Sequence, residues 1–140
     1  MRMLKVVRST VALACCSLGA ACVFGPRAGS FGPANSPNGV AAKLDAMGKD
    51  NTVEGELLEV RDTGLVVLDK SVVTYVPYRI IQTGSFRQLG VSLYDGHPPT
   101  ANEKNRLRMA SRFPQGLTRE TERQLLGAYH QTSITVLSPR

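Results

Sequence analysis

The chain has 140 residues, a formal net charge of +6 at pH 7, and a composition that is 42% hydrophobic and 20% charged. Such a length supports one domain with a modest core and excludes a large multidomain architecture. All three cysteines lie within the first 22 residues, which excludes a disulfide framework in the remainder of the chain.

The N-terminus has the layout of an export signal. Its first eight residues carry three charges, all positive: Arg2, Lys5 and Arg8. An uncharged run, STVALACCSLGAA, then extends from residue 9 to residue 21 and ends in small residues. A membrane-spanning helix needs roughly 20 apolar residues, so this run is too short to be a permanent anchor. Residues 1–21 are therefore predicted to be a cleaved signal peptide.

The end of this segment, Leu18-Gly19-Ala20-Ala21-Cys22, resembles the lipobox of bacterial lipoprotein precursors. The resemblance implies cleavage before Cys22, a diacylglycerol on its thiol, an acylated amine, and attachment to a membrane facing the periplasm. Cys15 and Cys16 leave with the signal, so Cys22 is the only cysteine of the mature chain. The alternative is ordinary cleavage after Ala21, which leaves a secreted or periplasmic protein with a free thiol.

Residues 22–51 are rich in Gly, Pro, Ser, Asn and Ala and contain few large apolar side chains. Such a composition buries too little surface to offset the entropy of ordering, and it predicts a disordered, flexible linker behind the lipid anchor. Within it, Val40–Met47 is predicted to form one or two helical turns capped by Asn38.

Residues 52–140 are predicted to form a single domain that begins with β-strands. Four segments are β-branched or aliphatic: Thr52–Val60, Leu65–Asp69, Val72–Tyr78, and a short strand containing Ile80, Ile81 and Phe86. Turns are predicted at residues 61–64 and 70–71, and Pro77 is expected at a strand end because it lacks an N–H. Short turns without intervening helices predict an antiparallel meander or a partly open barrel.

The rest of the domain is predicted to contain two helices, which makes the fold class α+β. The first covers Ala101–Phe113, with a capping box formed by Thr100 and Glu103. Thr118 caps the second, which runs to about His130. Its docking face contains four residues in line, with Leu126 and Tyr129 beside them: Leu117, Thr121, Leu125 and Ala128. Ile134–Leu137 is a candidate edge strand.

The string VEGELLEVRDTGLVVLDKSVVTYVPYRII resembles the small Sm-like β-barrels of exported bacterial proteins, with Gly55 at the bend of the first strand. The later string SRFPQGLT, flanked by helices, resembles the end of uncharacterised exported proteins of Gram-negative bacteria. These resemblances imply an architecture and carry no activity.

No cofactor, metal site or catalytic residue is assigned from the sequence. His97 lies in a turn and His130 at a helix end, and neither has a second ligand at metal-binding spacing. Asp95 and His97 lack a serine in a nucleophile elbow, so they do not define a triad. The acids Glu54, Glu56 and Glu59 are interpreted as a solvated face rather than as a paired-carboxylate site.

The charges are unevenly distributed along the domain. Residues 50–86 contain six acids and three bases, whereas residues 87–128 contain four acids and seven bases. Three of the bases, Lys104, Arg108 and Arg112, recur every four residues and form one stripe on the first helix. This stripe is interpreted as a solvated helix face, a contact for an anionic glycan or lipid, or a contact for the acidic barrel of a second copy. Export and the acidic barrel argue against nucleic acid.

These features predict a non-enzymatic lipoprotein of the cell envelope, tethered to a membrane, that binds an envelope protein, glycan or lipid or has a structural role. The alternative is a small exported enzyme, or an enzyme accessory, that acts on envelope glycan or peptide. Its site would lie near Tyr94 to His97, and a deep pocket lined by Tyr78, Asp95 and His97 would favour it. The sequence leaves the oligomeric state open.

Overall fold

The computed structural model describes residues 38–48 and 50–139, which form an α+β fold with a seven-stranded mixed sheet and two α-helices. The strands are β1 Ala41–Ala46, β2 Thr52–Val60, β3 Gly64–Asp69, β4 Val72–Pro77, β5 Ile81–Phe86, β6 Ser92–Tyr94 and β7 Thr135–Val136. The helices are α1 Ala101–Ala110 and α2 Arg119–Ala128, and a 3-10 turn at Tyr78–Ile80 joins β4 to β5. The strand order is β6-β5-β1-β2-β3-β4-β7, and the sheet is not closed.

The α+β class, the strands β2, β3, β4 and β5, and both helices confirm the sequence predictions. The predicted antiparallel meander is confirmed only for β2, β3 and β4. It is wrong for β5, which pairs with β1 and β6 and not with β4. It is also wrong at the other edge, where β7 pairs with β4 in parallel. The predicted signal peptide, Cys22 and the first sixteen residues of the predicted linker lie outside the described residues.

The largest correction concerns the predicted helical turns at Val40–Met47, which are a strand instead. β1 lies between β5 and β2 and pairs with both in antiparallel register. Its side chains alternate in the period of a strand, with Ala42, Leu44 and Ala46 buried. Residues 41–46 thus belong to the sheet, and the linker predicted to reach residue 51 does not extend through them.

The sheet is covered on both faces. The main core lies on one face and receives Leu107, the one buried residue of α1. A smaller core on the other face joins Leu58, Val66 and Val73 to Leu126 of α2. β2 is consequently buried on both faces from Leu57 onward. The face of α2 that packs on the sheet differs from the predicted one by about one residue. Leu126, predicted to lie beside the docking face, is buried, whereas Ala128, predicted to lie on it, is exposed.

The outer edge of β4 is covered by polar groups of the C-terminal segment. The Gln131 amide accepts a hydrogen bond from Val73 N at 2.6 Å and donates one to Val73 O at 3.3 Å. β7 then pairs with Thr74 and Tyr75, which confirms the predicted edge strand over two of its four residues. Unpaired strand edges promote intermolecular association, and this segment removes part of that edge.

The turn of the β3–β4 hairpin has a backbone conformation that its two residues disfavour, so replacing them should stabilise the protein. Asp69 pairs with Val72, and the two turn residues, Lys70 and Ser71, have φ values of 45° and 69°. Two positive φ values define the turn that Asn-Gly favours. We expect Lys70→Asn/Ser71→Gly to raise the free energy of unfolding by about 1 kcal/mol, measured by denaturant unfolding. The control, Lys70→Gln/Ser71→Ala, removes the same charge and should give no gain; an equal gain would contradict this explanation.

A carboxylate holds β1 to both neighbouring strands and offers a second prediction. Asp45 accepts hydrogen bonds from Thr52 Oγ1 at 2.8 Å and from Thr83 Oγ1 at 3.0 Å. These two bonds hold the pKa of Asp45 below its usual value of 3.8. Because the folded-state pKa is the lower one, the carboxylate stabilises the fold fully above the unfolded-state pKa. That contribution is lost as the pH falls through the folded-state pKa.

We therefore expect Asp45→Asn to lose less stability than the wild type when the pH is lowered from about 5 to about 3. Urea unfolding at a series of pH values measures the difference. Asp50→Asn, on the exposed turn after β1, is the matched control. An identical pH profile for Asp45→Asn and the wild type would refute a role for this carboxylate.

Candidate functional site

The candidate site lies where α1 meets the turn between β2 and β3. Helix α1 begins with the predicted capping box, in which Thr100 N donates to Glu103 Oε2 at 2.9 Å and Glu103 N donates to Thr100 Oγ1 at 3.4 Å. It ends three residues earlier than predicted. The reason is that Arg112 N and Phe113 N donate to the carbonyl oxygens of Leu57 and Leu58 in β2. These two bonds fix the end of the helical segment on the sheet.

This docking divides the predicted basic stripe into two parts. Lys104 Nζ lies 2.5 Å from Asp62 Oδ1, and Arg108 Nη2 lies 3.7 Å from the same oxygen. Arg112 follows the helix and lies 3.5 Å from Glu56 Oε2. The stripe therefore pairs with acids of its own chain. Its contact with a second copy stays a hypothesis. The structure brings Lys104 and Arg108 together and places Arg112 on a different carboxylate.

Asp62 is the exposed partner in this cluster. Its side chain is 86% exposed, compared with 21% for Lys104 and 30% for Arg108. The hydrogen bond and the charge of Lys104, with a smaller contribution from Arg108, hold the pKa of Asp62 below its usual value. Asp62 is thus an ionised carboxylate at the surface that pairs with two cations of α1.

A polar cleft of about 540 Å³ adjoins Asp62 and Arg108, and Glu59 and Arg61 contribute to its lining. Glu59 is 8% exposed, so the interpretation of this acid as part of a solvated face is wrong. It accepts hydrogen bonds from Arg61 Nε at 2.7 Å and from Leu117 N at 3.0 Å. Arg61 also forms an ion pair with α2, in which its Nη2 lies 3.2 Å from Glu122 Oε2. The sequence reasoning missed this network, although the position of Glu59 among aliphatic residues is a signal for burial.

The residues considered for an enzyme site do not converge. Tyr78 is buried, its hydroxyl donates to Arg61 O at 3.3 Å, and burial raises its pKa above the usual value. A groove of about 520 Å³ is lined by Tyr78 and Gly96, but Asp95 and His97 are exposed and are not among its lining residues. His97 Nδ1 lies 3.3 Å from Tyr94 O. The structure therefore does not assemble the pocket that would favour catalysis here.

Within residues 38–48 and 50–139, no group of three or more His, Cys, Asp or Glu side chains is arranged to hold a metal ion. The described part of the chain also contains no helix long and apolar enough to cross a membrane. The predicted lipidation residue, Cys22, lies outside the described residues. Comparison of the chain with protein-family models, curated proteins and solved structures finds no match.

Proposed function

We propose that this protein is an exported lipoprotein that presents a small, non-enzymatic binding or structural domain at the cell envelope. The observation that carries the proposal is the N-terminal pattern, in which a positively charged start and an uncharged run end in Ala20-Ala21-Cys22. Cleavage before Cys22 and acylation of this residue attach the chain to a membrane on its periplasmic side.

The position of the domain supports a tethered arrangement. Val40 N already bonds to Ala110 O, so the folded part begins close to Asn38. Fifteen residues, 23–37, lie between the anchor at Cys22 and that point. Fully extended, such a segment spans at most about 55 Å. This reach allows the domain to contact the membrane surface or a nearby envelope component.

The charged surface supports binding as the role of the domain. Lys104 and Arg108 are held on α1 beside a polar cleft, and cations in such a setting suit an anionic glycan, an anionic lipid or an acidic surface of an envelope protein. Catalysis at Tyr94 to His97 has less support, because Asp95 and His97 lie outside the neighbouring groove.

Fractionation of a Gram-negative host that expresses the full-length chain tests the proposal. We expect the wild type in the membrane fraction and Cys22→Ala in the soluble periplasmic fraction after a high-salt wash. The control, Cys15→Ala/Cys16→Ala, changes only the predicted signal and should fractionate as the wild type does. A soluble wild type, or a Cys22→Ala protein that stays in the membrane to the same extent after its signal has been cleaved, would overturn the lipid anchor.

A further inference from the structure

Two cations of α1 converge on one carboxylate oxygen. Lys104 and Arg108 are four residues apart, so they lie on the same side of the helix. Both reach Asp62 Oδ1, at 2.5 Å and 3.7 Å. Their side chains are mostly covered, and Leu107 between them anchors α1 in the main core. Helix α1 thus places an ammonium and a guanidinium side by side, a combination suited to an anion.

The carboxylate that now faces these cations is easily displaced. Asp62 is 86% exposed and lies on the turn between β2 and β3, and exposed ion pairs contribute little to stability. Glu56, the partner of Arg112, differs because it also accepts a hydrogen bond from Gly39 N at 2.7 Å and is 21% exposed. An incoming anion therefore competes with Asp62 far more readily than with Glu56.

The surroundings favour a phosphate group. The adjoining cleft of about 540 Å³ is lined by Arg61 and Arg108 as well as by Asp62 and Glu59. The charge of Glu59 is already balanced by Arg61 Nε and Leu117 N, and Glu122 also pairs with Arg61. Displacement of Asp62 leaves Lys104 and Arg108 unbalanced. A guanidinium fork combined with a point-charge ammonium is a common means of binding tetrahedral phosphate oxygens.

We propose that Lys104 and Arg108 form a binding site for a phosphate group, which Asp62 occupies as an internal competitor until the ligand displaces it. The ligand is a soluble phosphate ester or the phosphate of an anionic lipid headgroup, and the cleft receives the group attached to it. The inference rests on the proposed envelope function only for the source of the phosphate. The binding chemistry depends on the folded domain alone.

The test uses the purified exported chain with Cys22→Ala, so that the result is independent of lipidation. Two probes are titrated and followed by backbone amide shifts or by co-sedimentation: inorganic phosphate, and phosphatidylcholine vesicles with or without phosphatidylglycerol. We expect Asp62→Asn to bind roughly two- to fivefold more tightly, the range that loss of an exposed ion pair provides. Lys104→Gln/Arg108→Gln should bind about tenfold more weakly or worse, because charge-assisted hydrogen bonds are lost.

Two control variants change the net charge by the same amounts at other positions. Asp50→Asn removes an acid on the turn after β1, and Arg119→Gln/Arg123→Gln removes two cations from α2. Thermal unfolding checks that each variant is folded. If Lys104→Gln/Arg108→Gln fails to fold, Asp62→Asn still tests the proposal, because it keeps both cations. Binding of phosphate without a preference for phosphatidylglycerol vesicles supports a soluble ester, whereas binding to these vesicles supports a lipid headgroup. The proposal is overturned if, for both probes, Asp62→Asn binds no more tightly than Asp50→Asn.

Discussion

Replacement of Leu107 by alanine is expected to lower the free energy of unfolding by about 2–5 kcal/mol, the usual range for a buried leucine. Leu107 is fully buried and belongs to the main core, and it is the one buried residue of α1. The exposed ion pairs with Asp62 contribute too little to hold the helix in its place. Loss of the leucine side chain should therefore leave a cavity and loosen α1 from the sheet.

Equilibrium denaturation with urea measures this effect. Asn102→Ala, on the exposed side of the same helix, is the control and should change stability by less than about 0.5 kcal/mol. Leu107→Met keeps the volume and should cost less than about 1.5 kcal/mol. If Leu107→Ala unfolds at the same urea concentration as Asn102→Ala, then α1 does not depend on this contact.

The substitution Gly55→Ala is expected to destabilise the protein by about 3 kcal/mol or more. A Cβ atom at this position would lie 1.8 Å from Leu68 O and 2.7 Å from Leu68 C. These neighbours are backbone atoms of β3, so no side-chain rotation relieves the overlap. β2 and β3 would have to separate beside the Glu56–Leu68 pair, where the two strands are in regular register.

The same substitution at Gly127 provides the matched control. A Cβ atom there meets nothing within 4 Å, and the residue lies within α2. Since alanine favours a helix over glycine, Gly127→Ala should stabilise the protein by about 0.5–1 kcal/mol. A Gly55→Ala protein as stable as the wild type would show that β2 and β3 are not in close contact at this point.

Elements governed by local sequence were predicted well. The pairing of Thr100 with Glu103 and the cap at Thr118 depend on residues three positions apart, and both are present. β1 was missed because its small alanines lack the β-branched signal. Its strand state depends on pairing with β5, whose residues lie about forty positions later in the chain. β6 was missed because three residues, Ser92–Tyr94, are too few to show a period.

The part of the candidate site that depends on local spacing could be predicted from the sequence, and the part that depends on tertiary contacts could not. A spacing of four residues placed Lys104 and Arg108 on one helix face without any knowledge of the fold. The opposing group, Asp62, is 42 residues from Lys104 and becomes its partner only when α1 packs beside β2. Arg112 left the expected stripe because its backbone N–H bonds to Leu57 O, which lies far away in sequence. Such contacts depend on tertiary packing and not on local pattern.

The central claim, an exported domain tethered by a lipid, depends on the chemistry of one residue. The most direct measurement is mass spectrometry of the N-terminal tryptic peptide from protein purified out of bacterial membranes. We predict a peptide that begins at Cys22 and ends at Arg27, with fatty acyl groups on the cysteine. A peptide of the same span with a free thiol, or an N-terminus at another residue, would contradict the lipoprotein account.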